Sequence, residues 1–321
     1  MTAPGGEPGR APWARLLLSS AGVALLAGAV FFAIRSSAID VFRSAAEKPW
    51  AVAALIALPL ACLGLASASF RVLTLRFGSV GRFEMFALLG AAWLLNFLPL
   101  KPGVAGRLAY HKVVNKIDFR CSVLVVVQSI VVGLACFVTQ VGAALLSEAV
   151  ASRLGAGEWL RGLLIFAPLP AAAVCAFTFP RTGRFSPCWR YSAAFAFRYA
   201  DSLVWAVRYW LLFWIAGRNV GVSGASAIAG VSQSASLVPI AGNGLGVREW
   251  LVGFSARVLP KWFGDGSDVP LAFGVSTELV NRACEVVVAI PVGLLCVWWL
   301  AGRRRSVLPV SGPADAGRSK L

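Results

Sequence analysis

Long apolar runs dominate the chain and set the strongest limit on what it can fold into. They fall near residues 15–34, 49–70, 83–100, 121–147, 160–180, 201–217, 223–240 and 271–301. A helix needs about 20 apolar residues to cross the hydrocarbon core of a bilayer, and several of these runs approach or exceed that length. Only 14% of the 321 residues are charged, so the runs lack the polar faces that a soluble core requires. The sequence therefore predicts an all-α, polytopic membrane protein.

The formal charge of +16 has two readings. In a soluble protein such an excess would suggest nucleic-acid binding, but the chain has no basic stripe with interleaved aromatic residues. In a membrane protein, Lys and Arg accumulate in cytoplasmic loops and record orientation. We therefore expect no nucleic-acid partner and use the basic residues to assign topology.

Two segments are too broken to be plain membrane spans. In residues 83–119 the apolar run stops at Asn96 and Pro99, and "KPG" then interrupts the helix. Residues 223–258 are rich in Ser, Ala and Gly and contain "VPIAGNGLGVREW". Broken backbone at membrane depth is tolerated only where protein buries it or it lines a cavity. We read both segments as re-entrant helical hairpins, with two kinked full spans as the alternative.

The distribution of basic residues favours the hairpin reading. If the N-terminus is cytoplasmic and both hairpins return to the side they left, the most basic stretches, 71–120, 181–201 and the C-terminal tail, all lie inside. This layout has about six full spans and both termini in the cytoplasm. It divides the chain into a cytoplasmic segment 1–14, a transmembrane domain 15–302 and a disordered basic tail 303–321.

The two hairpins share a local pattern. In "LPLKPGVAGR" and in "VPIAGNGLGVR" a proline precedes glycines, and an arginine follows eight or nine residues after that proline. In the predicted topology the first hairpin enters from the cytoplasm and the second from outside. Gly- and Pro-interrupted segments in corresponding positions are typical of inverted-repeat transporters. The sequence therefore predicts an inverted repeat.

Three stretches, "PLKPGVAGRLAYHKVV", "PIAGNGLGVREWLVG" and "STELVNRACEVVVAIPVGLL", resemble the flippase-like integral membrane domain of the lysylphosphatidylglycerol synthases, the multiple peptide resistance factors. The resemblance covers roughly residues 10–302 and is strongest at "GNGLGVRE". In two-domain relatives a separate soluble synthetase domain transfers lysine to lipid, and we expect this chain to be a stand-alone form without it. The resemblance implies lipid translocation in the bacterial inner membrane without lipid aminoacylation.

Candidate substrate-binding residues come from the helix breaks and from the last span. Glycines allow a ligand to approach the backbone, and the helix that we expect to start near Val247 would point amide donors at an anion. Ionisable residues inside a membrane are functional candidates by default, although Arg248 and Glu249 could instead face water at the outer interface. Glu278, Arg282 and Glu285 share one helix face, either as an ion-pair staple or as the wall of a lipid groove. The predicted set is Arg107, Gly242, Gly244, Gly246, Arg248, Glu249, Glu278, Arg282 and Glu285.

The sequence offers few residues for metal binding, His-based catalysis or nucleotide hydrolysis. The seven cysteines form no C-x-x-C pair, and His111 is the single histidine, so we expect no metal site and no His-based triad. There is no Walker motif, and we expect no cofactor. The leading hypothesis is a lipid flippase for an anionic or phosphate-containing head group. A membrane-embedded transferase on lipid-linked substrates, and a scaffold for a partner lipid-modifying enzyme, are the alternatives.

Overall fold

The computed structural model describes residues 27–28, 30–31, 43–98, 102–155, 157–182, 186–237, 244, 246–258 and 269–307. The predicted cytoplasmic segment 1–14, most of the first apolar run, Gly242 and residues 308–321 of the predicted tail lie outside these ranges.

Ten helices account for most of the described chain. They are α1 (Pro49–Thr74), α2 (Arg82–Leu95), α3 (Pro102–Val113), α4 (Phe119–Leu154), α5 (Glu158–Phe166), α6 (Pro168–Thr178), α7 (Ser186–Ile215), α8 (Val222–Leu237), α9 (Val247–Val258) and α10 (Leu271–Val307). The last helix therefore continues past residue 302, where the sequence analysis ended the transmembrane domain.

Local sequence explains where several helices begin and end. Pro49 opens α1 and Pro168 opens α6, at positions where the missing amide hydrogen costs no helical hydrogen bond. The side chain of Asp118 caps α4 by accepting a hydrogen bond from the amide of Phe119. Gly155 closes α4 in the left-handed conformation at a φ of 60°.

Four helical segments in the described ranges are long and apolar enough to cross a membrane. They are α1, α4, the α5–α6 segment Glu158–Thr178, and residues 271–303 of α10. Large apolar side chains are exposed along α4 and along the second half of α10, for example Val131, Val138, Leu294 and Trp298. Exposed apolar surface of this extent indicates lipid contact. The chain is therefore a membrane-embedded helical protein.

Helix α7 lies at the centre of the described structure. It packs against α1, α4, α6, α8 and α10. It is 30 residues long, but Arg190, Arg198, Asp201 and Arg208 interrupt its apolar sequence. Asp201 and Arg208 are buried, so the helix turns these charges toward its neighbours.

The two broken segments form two pairs of short helices. Helix α2 packs against α3, and α8 packs against α9. The four helices have 14, 12, 16 and 12 residues. At 1.5 Å per residue they are about 18–24 Å long, less than the ~30 Å hydrocarbon core of a bilayer. We call α2–α3 the first hairpin and α8–α9 the second hairpin.

Glycines bring each hairpin against its support. A Cβ on Gly103, near the start of α3, would lie 2.3 Å from the carbonyl oxygen of Ala92 in α2. A Cβ on Gly274 of α10 would lie 2.8 Å from the Cα of Gly253 in α9. Only glycine permits contacts this close. The close contact of the first hairpin thus lies between its own two helices, whereas that of the second hairpin lies between α9 and α10.

Candidate functional site

A cavity of about 450 Å³ lies between the two hairpins. Its wall comes from α1, α2, α3, α4, α7, α8, α9 and α10, so the short helices of both hairpins contribute to it. The charged residues on the wall are Arg107, Arg198, Asp201, Arg208, Arg248 and Glu285. Four cations therefore face two anions in a protein whose outer surface is apolar.

Arg248, the second residue of α9, is clamped by two carboxylates of α10. Its Nε lies 2.6 Å from Glu278 Oε1, and its Nη2 donates to Glu285 Oε1 at 2.8 Å. All three side chains are at least 98% buried. Because each charge has lost its water, the ion pairs must compensate a desolvation cost of several kcal/mol per ion.

Arg208 of α7 joins the same cluster from the opposite side. Its Nη2 donates to Asn281 Oδ1 at 2.5 Å and to Glu285 Oε1 at 3.2 Å. The indole of Trp205 lies 4.0 Å from the Arg208 guanidinium and 4.5 Å from that of Arg248. One nitrogen of Arg208 therefore bonds to the protein and one face of its guanidinium lies on an aromatic ring. Its buried Nε and Nη1 have no hydrogen-bond partner in the part of the chain that the structure describes.

The rest of the cluster balances its charge. Arg282 Nε lies 3.4 Å from Glu249 Oε1, and Arg282 Nη1 lies 3.6 Å from Glu285 Oε2. Glu278 Oε2 accepts a hydrogen bond from the Tyr209 hydroxyl at 2.6 Å. The cluster holds three arginines and three glutamates: Arg208, Arg248, Arg282, Glu249, Glu278 and Glu285. It is therefore neutral as a unit.

A separate pair lies further along α7. Arg198 Nη1 donates to Asp201 Oδ2, one turn on, in an i,i+3 arrangement. Asp201 is 2% exposed, and its second oxygen, Oδ1, is buried without a hydrogen-bond partner among the described residues. The pair is neutral, and Asp201 Oδ1 is left as a hydrogen-bond acceptor on the cavity wall to which no described residue donates.

Arg107 of α3 differs from the other cations of the cavity. It is 8% exposed and stacks on the ring of Phe70 at 4.1 Å. Within the described residues its guanidinium makes no ion pair and no hydrogen bond. With the cluster and the Arg198–Asp201 pair neutral, Arg107 is the one surplus charge on the described cavity wall.

Most of the predicted site residues lie near one another. Arg248, Glu249, Glu278, Arg282 and Glu285 form the buried cluster, and Arg107 lies on another part of the same cavity wall. The alternative in which Arg248 and Glu249 face water is wrong, because they are 1% and 0% exposed. Their role as substrate ligands stays a prediction.

Helix α9 begins at Val247, where the sequence places the start of a helix after the glycine-rich break. Gly244 and Gly246 precede it with φ angles of 74° and 82°, a region that side chains other than glycine rarely enter. A Cβ on Gly244 would meet the carbonyl oxygen of Ala235 at 3.4 Å. Gly244 therefore lies beside the backbone of α8 rather than in open space.

The predicted set omitted the α7 residues. Asp201 and Arg208 are seven residues apart, so the sequence places them on one helix face, but nothing in it identifies Asn281 or Glu285 as partners of Arg208. Trp205 contacts both Arg208 and Arg248, but the sequence does not distinguish it from the other aromatic residues of the same apolar span. Contacts between α7 and α10 join residues more than 70 positions apart.

A second cleft, of about 620 Å³, lies beside the cavity and is formed by α1, α2 and α7. Its described wall contains Arg71, Arg82, Phe83, Phe86 and Phe197 and no acidic residue. Residues on one face of α2 line both spaces. Positions 82, 83 and 86 line the cleft, and positions 89, 92 and 93, with Asn96 just after the helix, follow at helical spacing and line the cavity. The cleft and the cavity thus share one stripe of α2.

In the described ranges no group of three or more His, Cys, Asp and Glu side chains is placed to hold a metal ion. No protein-family model matches the chain, and no curated protein sequence or solved structure matches it either.

Proposed function

We propose that the chain is a lipid flippase or lipid transporter that takes an anionic head group into the cavity between the two hairpins. The observation that carries the proposal is Arg107, a buried guanidinium on the cavity wall without a partner in the described residues. Keeping an unpaired charge in a low-dielectric site is costly, so such a group is expected to have an anionic ligand. Arg208 adds two buried donor nitrogens, Nε and Nη1, whose N–H groups can donate to phosphate oxygens.

The second cleft supports a lipid rather than a soluble ion as the substrate. Phe83 and Phe197 are both exposed at this cleft, on the apolar outer surface. Arg71 and Arg82 lie in a stretch that the positive-inside rule places at the cytoplasmic interface, where anionic head groups reside. A lipid could therefore move along α2 with its head group in the cavity and its chains in the bilayer.

The two hairpins supply a mechanism for access from both sides. In the proposed arrangement they belong to an inverted repeat in a protein with about six full spans and cytoplasmic termini, embedded in a bacterial inner membrane. Rocking of one repeat against the other would open the cavity to each face in turn. This assignment is consistent with the resemblance to the lysylphosphatidylglycerol synthase membrane domain, whose two-domain forms also modify lipid; a partner lipid-modifying enzyme fits the same scheme.

Reconstitution tests the proposal directly. The purified chain would be inserted into liposomes that contain labelled phosphatidylglycerol, and the transfer of label between leaflets would be measured. We expect protein-dependent transfer that falls at least tenfold in Arg107→Gln, because a charge-assisted hydrogen bond contributes about 1.5–3 kcal/mol. Arg153→Gln is the matched control, since Arg153 is exposed at the end of α4 and away from the cavity. Equal transfer by protein-free liposomes, or by all three proteins, would contradict the proposal.

A further inference from the structure

The cavity wall carries several buried polar atoms that make no hydrogen bond within the described residues. Two are acceptors, the Oδ1 atoms of Asn96 and Asp201. The donors are Nε2 of Gln233 and the Nε and Nη1 atoms of Arg208. A buried polar group without a partner costs about 1–3 kcal/mol, so several on one cavity wall indicate a ligand that completes them.

These atoms come from different elements that meet at one place. Asn96 ends α2 of the first hairpin, Gln233 belongs to α8 of the second hairpin, and Asp201 and Arg208 belong to α7. The Cys62 thiol, a weak hydrogen-bond donor, is beside Asp201. A ligand that satisfies the set must therefore reach both hairpins at once.

The charge of the wall limits the ligand further. The six-residue cluster is neutral and Arg198 neutralises Asp201, so Arg107 leaves a surplus of one positive charge on the described wall. One negative charge on the ligand compensates it. A phosphodiester carries one negative charge, whereas a phosphomonoester carries about 1.5–2 near neutral pH.

From these two observations we propose that the cavity selects a phosphodiester lipid whose head group beyond the phosphate bears hydroxyl groups, such as a glycerol or a sugar. The inference rests on the proposed function and names its substrate class. Arg107 and Arg208 bind the phosphate. The hydroxyl groups donate to Asp201 Oδ1 and Asn96 Oδ1 and accept from Gln233 Nε2.

Hydroxyl groups fit this wall better than an ammonium group does. A hydroxyl both donates and accepts, which matches a wall with unused donors and unused acceptors. An ammonium group only donates, so it would leave Gln233 Nε2 unmatched. It would also add a positive charge near Asp201, which is already paired with Arg198.

The test compares lipids that differ only beyond the phosphate. Phosphatidylglycerol and phosphatidylmethanol are both monoanionic phosphodiesters, and only the first has hydroxyl groups. A second pair consists of a polyprenyl phosphosugar and the corresponding polyprenyl methyl phosphate. Transfer of each across liposomes containing the full chain is measured in competition. We expect the hydroxylated member of at least one pair to be preferred by about fivefold or more, the effect of one or two hydrogen bonds. The pair that is discriminated identifies the source of the head group.

Two variants locate the preference. Gln233→Leu should reduce the hydroxyl preference toward unity, because it removes the donor that only the hydroxylated member of a pair uses. Arg107→Gln should slow both members of a pair alike, because both carry the phosphate. Gln128→Leu is the control, since Gln128 bonds to Tyr191 on an exposed surface. Equal transfer of both members of both pairs by the unmodified chain overturns this inference but leaves the flippase proposal standing. Absence of transfer of any lipid overturns the proposed function itself.

Discussion

The two hairpins have similar lengths and local sequence, but their arginines have opposite environments. In the second hairpin, Arg248 is held by Glu278 and Glu285 of α10, both within 2.8 Å. In the first hairpin, Arg107 touches the ring of Phe70 and has no anion beside it among the described residues. One arginine therefore contributes to the scaffold, and the other is available to a ligand. Two segments with similar local sequence can thus place their arginines in different electrostatic environments.

The contacts that hold the two hairpins in place also differ: the second hairpin is held by buried ion pairs and the first mainly by hydrogen bonds. Helix α9 is fixed to α10 by buried ion pairs and by the Gly253–Gly274 contact. The far end of α3 is held through Glu84 of α2, which accepts hydrogen bonds from Tyr110 at 3.2 Å and Asn115 at 2.9 Å. Glu84 also lies 3.4 Å from the half-exposed Arg303. Hydrogen bonds from neutral donors to a carboxylate and a half-exposed ion pair cost less to break than fully buried ion pairs do. We infer that α3 moves more readily than α9.

The largest expected effect concerns the sides on which the two hairpins open. In a cysteine-free background, an impermeant maleimide added outside cells should label Arg257→Cys and leave Lys112→Cys unlabelled. Both positions are exposed near the C-terminal ends of their hairpins, α9 and α3. In inverted vesicles the result should be reversed. Labelling of both positions from the same side would eliminate the inverted repeat.

The next largest effect concerns the energetic roles of the two arginines. Arg248→Ala should lower the free energy of unfolding by about 3–5 kcal/mol, because it leaves two buried carboxylates without their partner. Arg107→Ala should lower it by only about 0.5–1 kcal/mol, the contribution of its contact with the ring of Phe70, because no carboxylate lies beside it in the described residues. Transfer of lipid should nevertheless be lost. Thermal unfolding in detergent measures both.

A partial rescue sharpens this prediction. Adding Glu278→Gln to Arg248→Ala removes one of the two carboxylates left without a partner, and it should restore part of the lost free energy of unfolding. If Arg248→Ala and Arg107→Ala unfold at the same temperature, the two arginines are not energetically distinct and the comparison fails.

The sequence predicts the helices and the contacts within one helix, but not the contacts between helices. Apolar run length predicted the helices, and the glycine-rich break predicted that α9 starts near Val247. The i,i+3 spacing predicted that Arg282 can pair with Glu285, as it does at 3.6 Å. Sequence could not identify Glu249 as the other partner of Arg282, because that contact depends on how α9 crosses α10. The pairing of Arg208 with Asn281 was hidden for the same reason.

A smaller effect is expected from the glycines of the first hairpin. Gly103→Ala should destabilise the protein by about 1–3 kcal/mol, because its Cβ would lie 2.3 Å from the backbone oxygen of Ala92. Gly106, three residues later in α3, has no atom within 4 Å of its would-be Cβ. Gly106→Ala should therefore be neutral or stabilising by up to about 1 kcal/mol. Similar melting temperatures for the two variants would show that α3 does not pack against α2 as described.

The smallest effects come from removing one hydroxyl at the support of each hairpin. Tyr110→Phe deletes a partly buried bond to Glu84, and we expect a loss of about 0.5–1.5 kcal/mol.

The equivalent change at the second hairpin is Tyr209→Phe. Tyr209 is fully buried, and its hydroxyl donates to Glu278 at 2.6 Å and lies 2.5 Å from Ser232 Oγ. Its loss deprives a buried carboxylate of a donor, so the cost should reach about 1.5–3 kcal/mol. Hydrogen exchange should show faster opening of α3 in Tyr110→Phe and of α8 and α9 in Tyr209→Phe. If Tyr110→Phe proves the more damaging substitution, the first hairpin is the rigid one, and the roles assigned to the two hairpins must be exchanged.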